Sequence, residues 1–144
     1  MIAIGSDHGG INLKETIKNL LEKRGIEYKD FGTYSSDSCD YPDIAEKVCA
    51  AVTTKECTEG ILICGTGIGM SMAANKIKGI RAAHLTDTYS ARMTREHNNA
   101  NVICLGERIT GCDLAVDIVN SYLDAEFQGG RHQTRIDKVM ALEK

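Results

Sequence analysis

The segment from Gly60 to Lys76, GILICGTGIGMSMAANK, constrains the fold more than any other stretch. Its short apolar run, Ile61 to Cys64, has the character of a strand buried on both faces, and it passes without a spacer into glycines at 65, 67 and 69 and then into residues that can form a helix. In such a turn successive backbone N–H groups converge on one point, and the helix N-terminus adds a partial positive charge of roughly half an elementary unit. That cup takes an anion. Cys64, the last strand residue, stands at its rim, and a thiol beside a helix N-terminus loses its proton more easily than a free one. Blander readings of the same residues exist. A glycine turn after a strand can hold a phosphate or nucleotide without further chemistry, and a free cysteine is usually a small buried hydrophobe. The dinucleotide fingerprint needs a sixth-position glycine where this chain has Met70, although Asp87 lies near the place of its acidic residue, and the Gly-Lys-Ser/Thr of a Walker loop is absent.

Strands and helices alternate along the rest of the chain. Ile2-Ala3-Ile4 reads as a strand ending in the loop Gly5-Ser6-Asp7-His8-Gly9-Gly10, and Leu13, Ile17, Leu20 and Leu21 recur at helical spacing before a stop at Gly25. Ile26 to Phe31 alternates like an edge strand, and Gly32 to Asp40 is a polar loop. Pro42 suits the first turn of a helix carrying Ile44, Ala45, Val48, Cys49 and Val52, with Asp40-Tyr41-Pro42-Asp43 at its mouth. Ile80 to Leu85 is a strand interrupted by Arg81 and His84, and Thr86-Asp87-Thr88 offers caps to a helix that ends in the polar patch Glu96 to Asn101. Val102 to Leu105 forms the fifth strand with Gly106-Glu107-Arg108 as its exit, Thr110 is the expected cap of the next helix, and a last helix begins at Gly129-Gly130-Arg131.

At 144 residues without repeat or linker, the chain makes one domain, residues 1–144. The pattern predicts a Rossmann/flavodoxin-like three-layer α/β/α fold with a five-stranded parallel sheet in the order 2-1-3-4-5, plus a C-terminal helix. Strands 1 and 3 are then neighbours with diverging exit loops, which puts Asp7-His8 beside Cys64-Gly65.

A net charge of −3 and the absence of Trp argue against nucleic acid and anionic membranes as partners, so any anion site must be a local gathering of basic groups. The apolar runs are too short to span a membrane. The six cysteines show neither Cys-x-x-Cys nor zinc-type spacing, and the N-terminus lacks a secretory pattern, so reduced thiols in the cytoplasm are the simplest account, with no metal or organic cofactor expected.

Polar groups assigned to the C-terminal edge of the sheet are Asp7, His8, Tyr41, Cys64, Thr66, the amides from Gly65 to Ser71, and Arg108, joined by His97-Asn98 at a helix end and by Arg131 and Arg135. Arg131 and Arg135 share a helix face, and two guanidinium forks there match a phosphate dianion or simply make a solvated surface. A base, an acid, an oxyanion nest and a phosphate clamp describe proton transfer next to the carbonyl of a phosphorylated sugar. His84 reads as a satisfied buried histidine, His132 as peripheral, the other five cysteines as core or helix-face residues, and Met70 and Met72 as packing residues.

The strings GSDHGG (5–10), DYPD (40–43), Gly60 to Lys76, EHNNAN (96–101) and GGRHQTR (129–135), in this order, resemble the type B ribose-5-phosphate isomerases of the sugar-phosphate isomerase family over essentially the whole chain. The resemblance implies interconversion of D-ribose 5-phosphate and D-ribulose 5-phosphate through a cis-enediolate, a step of the non-oxidative pentose phosphate pathway. It implies Cys64 as the base moving the proton between C1 and C2, with Thr66 assisting at the sugar oxygens. The amides of Gly65, Thr66, Gly67, Ile68 and Gly69, with Asn98, would hold the enediolate. His97, helped by Asp7, would open the furanose ring, and His8, Arg131, Arg135 and Arg108 would bind phosphate. Tyr41 joins the substrate-binding set. One branch of the family has a glutamate base directly after the third glycine; Met70 stands there, so the chain resembles the cysteine branch. Family members form homodimers, some assembling into tetramers, with active sites shared between subunits. The alternatives are a hexose-6-phosphate isomerase acting on allose or galactose phosphate and a non-catalytic phosphosugar-binding regulatory module.

Overall fold

The computed structural model describes residues 1–144. Five parallel strands, β1 (Ile2–Ser6), β2 (Tyr28–Asp30), β3 (Glu59–Cys64), β4 (Ala82–His84) and β5 (Val102–Gly106), alternate with α1 (Ile11–Lys23), α2 (Tyr41–Thr53), α3 (Ile68–Ala74), α4 (Thr88–Asn98) and α5 (Cys112–Asp124), and α6 (Arg131–Met140) closes the chain. A single 3-10 turn, His8–Gly10, links β1 to α1.

Side chains alternate across the sheet as strand geometry requires. Ile2 and Ile4, Ile61 and Ile63, and Ile103 and Leu105 face α1, α4 and α5; Ala3, Leu62, Cys64, Val102 and Cys104 face α2 and α3. Each fully buried Ile or Leu is worth roughly 1.5–3 kcal/mol, so these two clusters hold the layers together.

The sheet order is β2-β1-β3-β5-β4, which corrects the expected 2-1-3-4-5 by exchanging the last two strands. The reason lies in side-chain character. All five residues of β5 are buried, as suits a strand covered on both faces and flanked on both sides, whereas the three residues of β4 are only half-buried. Arg81 and His84 belong at an edge. Because β4 lies beyond β5, the β4–β5 connection runs back towards the middle of the sheet, and the right-handed crossover places α4 on the face opposite α3.

Two local expectations change. The strand expected over 26–31 pairs only across Tyr28–Asp30. The N-cap of α5 is Gly111 without a side-chain bond, and Thr110 Oγ1 is buried with no partner, so Thr110 is not the cap. The Asp87 carboxylate does cap α4, accepting from the Ser90 N–H at 2.6 Å. No helix is long and apolar enough to cross a membrane.

Candidate active site

The loops leaving β1, β3 and β5 meet at the C-terminal edge of the sheet. The Asp7 N–H donates to Ile63 O at 3.1 Å, so the first loop is tied to β3 one residue before Cys64. The Asp7 carboxylate then accepts from Gly9 N–H at 2.8 Å and starts the 3-10 turn. The His8 ring takes the Cys39 N–H on Nδ1 at 3.2 Å, which leaves Nε2 to carry the proton of the neutral ring.

Cys64 is 5% exposed, and its Sγ accepts the Gly67 N–H at 3.1 Å. That bond exists because Gly67 has φ of 81°, a left-handed conformation that folds the loop back over the end of its own strand. Thr66 Oγ1 accepts from the Ile68 N–H at 3.2 Å, and the short helix α3 begins there. The Tyr41 ring lies against Gly69, where an added Cβ would sit 2.7 Å from two ring carbons. Arg108 donates its N–H to Gly65 O at 3.0 Å and lays its guanidinium along Gly65 and Gly9. It forms no ion pair within the chain. Asp7, His8, Tyr41, Cys64, Gly65, Thr66, Gly67, Ile68, Gly69 and Arg108 therefore share one edge, as expected.

His97, Asn98, Arg131 and Arg135 do not join them within this chain, which corrects their assignment to the same edge. Helix α4 runs antiparallel to the strands and ends at Asn98, shortly before Val102 opens β5, whereas Cys64 pairs with Gly106 at the far end of that strand. The four steps between are roughly 13 Å along the sheet. The order change does not cause this; a helix that returns the chain to a parallel strand must end at the opposite edge. There His97 stacks on His132, centroids 4.1 Å apart and planes 10° apart. The pair, with Asn98 and Arg135, lines a groove of about 1020 Å³ between α6 and the ends of α3 and α4. Arg131 and Arg135 are exposed and make no ion pair. His132 is buried rather than peripheral; burial, and then His97, Arg131 and Arg135, hold its imidazole below the usual histidine range.

Two residues matter more than their sequence context indicated. The His84 ring, at the end of β4, lies 2.7 Å through Nε2 from Thr66 O, inside the glycine loop. Glu107 donates its N–H to Cys64 O at 3.0 Å and accepts the Leu13 N–H on its carboxylate at 2.7 Å, tying the base of the loop to the first turn of α1. Both follow from β5 lying directly beside β3, a placement visible only once the sheet order is known. Behind Cys64, burial pushes the Cys49 thiol up to about 12 and the Cys104 thiol well above the ordinary cysteine value. No three His, Cys, Asp or Glu side chains gather closely enough to hold a metal ion.

Residues 2–139 match the family model described as Ribose/Galactose Isomerase. The chain is 48% identical over 143 residues to ribose-5-phosphate isomerase B of Escherichia coli, covering 99% of this chain and 96% of that one. Its fold superimposes on a ribose-5-phosphate isomerase B structure from Clostridium thermocellum with a TM-score of 0.96 and 60% identity, over 98% of this chain and 95% of that one. The Mycoplasma genitalium ribose-5-phosphate isomerase B structure with bound ribulose-5-phosphate matches at a TM-score of 0.93 and 44% identity, over 97% and 93% of the two chains. The chain therefore belongs to the ribose/galactose isomerase family.

Proposed function

We propose that this protein interconverts D-ribose 5-phosphate and D-ribulose 5-phosphate, with Cys64 as the base. The observation that carries the reading is the Cys64 sulfur at the end of β3, bonded to the Gly67 N–H of a glycine loop against which Arg108 and the Asp7–Gly9 turn pack. In the forward direction the Cys64 thiolate takes the proton from C2 of the open-chain aldose. The C2–H electrons form the C1=C2 bond, and the carbonyl pair moves to O1 as an enediolate oxygen. The thiol then returns its proton to C1 while the O2–H proton passes to O1, leaving the ketone at C2. In this reading amides of the Gly65 to Gly69 loop donate to the developing oxygen charge, a type of contact worth about 3 kcal/mol in the transition state. Thr66 assists at the sugar oxygens, and Tyr41 closes one side of the pocket against Gly69.

His97, Asn98, Arg131 and Arg135 reach the site from a second copy in a two-fold homodimer. This is supported by their position at the opposite sheet edge and by guanidiniums left without carboxylate partners. In that dimer the partner's histidine and Asp7 open the furanose ring, its asparagine helps to hold the enediolate, and phosphate lies among His8, Arg108 and its two arginines. A pairing of dimers would give a tetramer. Six cysteines, all unpaired, fit a reducing cytoplasm.

A coupled assay of ketose formation from ribose 5-phosphate tests the reading, with allose 6-phosphate and galactose 6-phosphate as competing substrates. Turnover of the pentose above both hexoses is expected. Binding of ribose 5-phosphate without ketose formation would instead identify a regulatory module.

A further inference from the structure

The Thr66–Gly67 peptide unit is held from both ends. Its N–H donates to Cys64 Sγ at 3.1 Å, and its carbonyl oxygen lies 2.7 Å from His84 Nε2. The bond is trans, so the carbonyl and N–H point in opposite directions and the two partners lie on opposite sides of one rigid plane. A carbonyl oxygen can only accept, which puts the hydrogen on His84 Nε2 whatever the charge of the ring. The ring also packs closely against the loop: a Cβ added at Gly67 would meet His84 Cδ2 at 2.8 Å and Nε2 at 3.1 Å.

We infer that His84 is a positioning residue for Cys64, acting through this peptide: its Nε2–H fixes the plane with the N–H turned to the sulfur, and it polarises the amide that the sulfur receives. Without it the Gly67 peptide is free to rotate, since glycine tolerates both signs of φ, and a rotated peptide would turn its carbonyl towards the sulfur. Serial hydrogen bonds strengthen one another, so the imidazole reinforces the Gly67 N–H as a donor as well as aiming it. The place of His84 at the edge of the sheet follows from β4 lying outside β5, and it reaches the loop from the side opposite the first-strand residues Asp7 and His8.

The inference rests on Cys64 being the base, and its test reads the sulfur independently of turnover. The full-length protein is compared with H84F, H84A and H84Q. One readout is the rate of iodoacetamide alkylation at Cys64 at neutral pH, followed by peptide mass spectrometry; the other is kcat and KM for ribose 5-phosphate. Phe keeps the ring without the donor, Ala removes both without crowding Gly67, and Gln restores an N–H donor at the place of Nε2. Asp7, His8, Arg108 and Cys104 are the same in all four proteins. Several-fold slower alkylation and several-fold lower kcat in H84F and H84A, KM within about twofold, and recovery of at least half the wild-type values in H84Q are expected. Unchanged alkylation in both donorless variants, or equal loss in H84Q, overturns the inference. Wild-type turnover in Cys64→Ala overturns the base assignment instead, and leaves the alkylation comparison to be read separately.

Discussion

The imidazoles of His97 and His132 lie face to face, 4.1 Å between centroids and 10° from parallel, one at the end of α4 and the other in the first turn of α6. With Arg131 and Arg135 beside them, these rings form a patch in which a further positive charge is disfavoured. His132, held below its ordinary value of 6.5 by burial and then by His97 and the two arginines, binds a proton less readily folded than unfolded. Its contribution to stability is therefore complete above pH 6.5 and declines as the pH falls from there towards the depressed folded value. Denaturant titrations at pH 7.5 and 5.5 will show a loss of stability on acidification that is smaller in His132→Gln. An equal loss in both proteins would remove His132 from the account.

Asp30 carries a second acid-sensitive contact. Its carboxylate is half-buried, which opposes ionisation, but hydrogen bonds from Lys14, the Gly32 N–H and Lys18 outweigh that and hold it below 3.8. Lys14 Nζ lies 2.9 Å from Asp30 Oδ1, and the lysine is itself almost fully buried. A carboxyl depressed in the folded state stabilises fully above its unfolded value and loses that contribution as pH falls through the folded one. Asp30→Asn leaves the Lys14 ammonium buried without its counter-charge and should cost about 3–5 kcal/mol at pH 7. Chemical denaturation measures it, and a cost below about 1 kcal/mol would show that Lys14 finds another partner.

Cys64→Ala removes the proposed base and with it the acceptor of the Gly67 N–H. A general base contributes typically about 10²- to 10⁴-fold to rate, and the loss should fall on kcat with KM little changed. Steady-state kinetics decide it: a kcat within about tenfold of wild type would take the proton transfer away from Cys64.

The glycines divide into those that shape the site and those that do not. A Cβ at Gly106 would overlap the Thr66 carbonyl, 2.5 Å from its oxygen, so Gly106→Ala must push the loop away from β5. Overpacking of this kind costs about 1–3 kcal/mol and here also displaces the Gly67 amide from the sulfur. At Gly111 an added Cβ meets nothing within 4 Å and φ is −64°, so Gly111→Ala should be silent in both melting temperature and kcat. Equal behaviour of the two variants would mean that the close approach of β5 to the loop is unimportant.

The strand–loop–helix at residues 60–76 was legible because its signal is local: an apolar run, glycines at fixed offsets and a helix start. The neighbourhood of β1 and β3 was legible from topology alone, and it correctly brought Asp7 to the strand that ends in Cys64. The order of β4 and β5 was misread, although the charged and polar residues that mark an edge strand, Arg81 and His84, were visible in it. His84 was read only as a satisfied histidine and Glu107 only as part of a strand exit, because their partners, Thr66 O and the Leu13 N–H, are backbone groups distant in sequence. His97 and the two arginines were gathered with Cys64 on chemical grounds, which identify groups that work together without saying which copy of the chain supplies them.

That last division yields a test that needs no structure of the assembly. Arg135 is exposed, makes no ion pair and lies at the sheet edge opposite Cys64, so in a shared-site dimer each pocket combines Cys64 of one subunit with Arg135 of the other. Cys64→Ala and Arg135→Ala are each expected to be nearly inactive alone, the first in kcat and the second chiefly in KM, because a charge-assisted phosphate contact is lost. After equimolar mixing with subunit exchange, half of the dimers pair one variant with the other. In each mixed dimer one pocket carries both lesions and the other carries none, so activity should recover to about one quarter of wild type. Recovery near that level assigns the two residues to opposite subunits. No recovery, with exchange verified by native mass spectrometry, would mean that no pocket combines Cys64 of one subunit with Arg135 of the other.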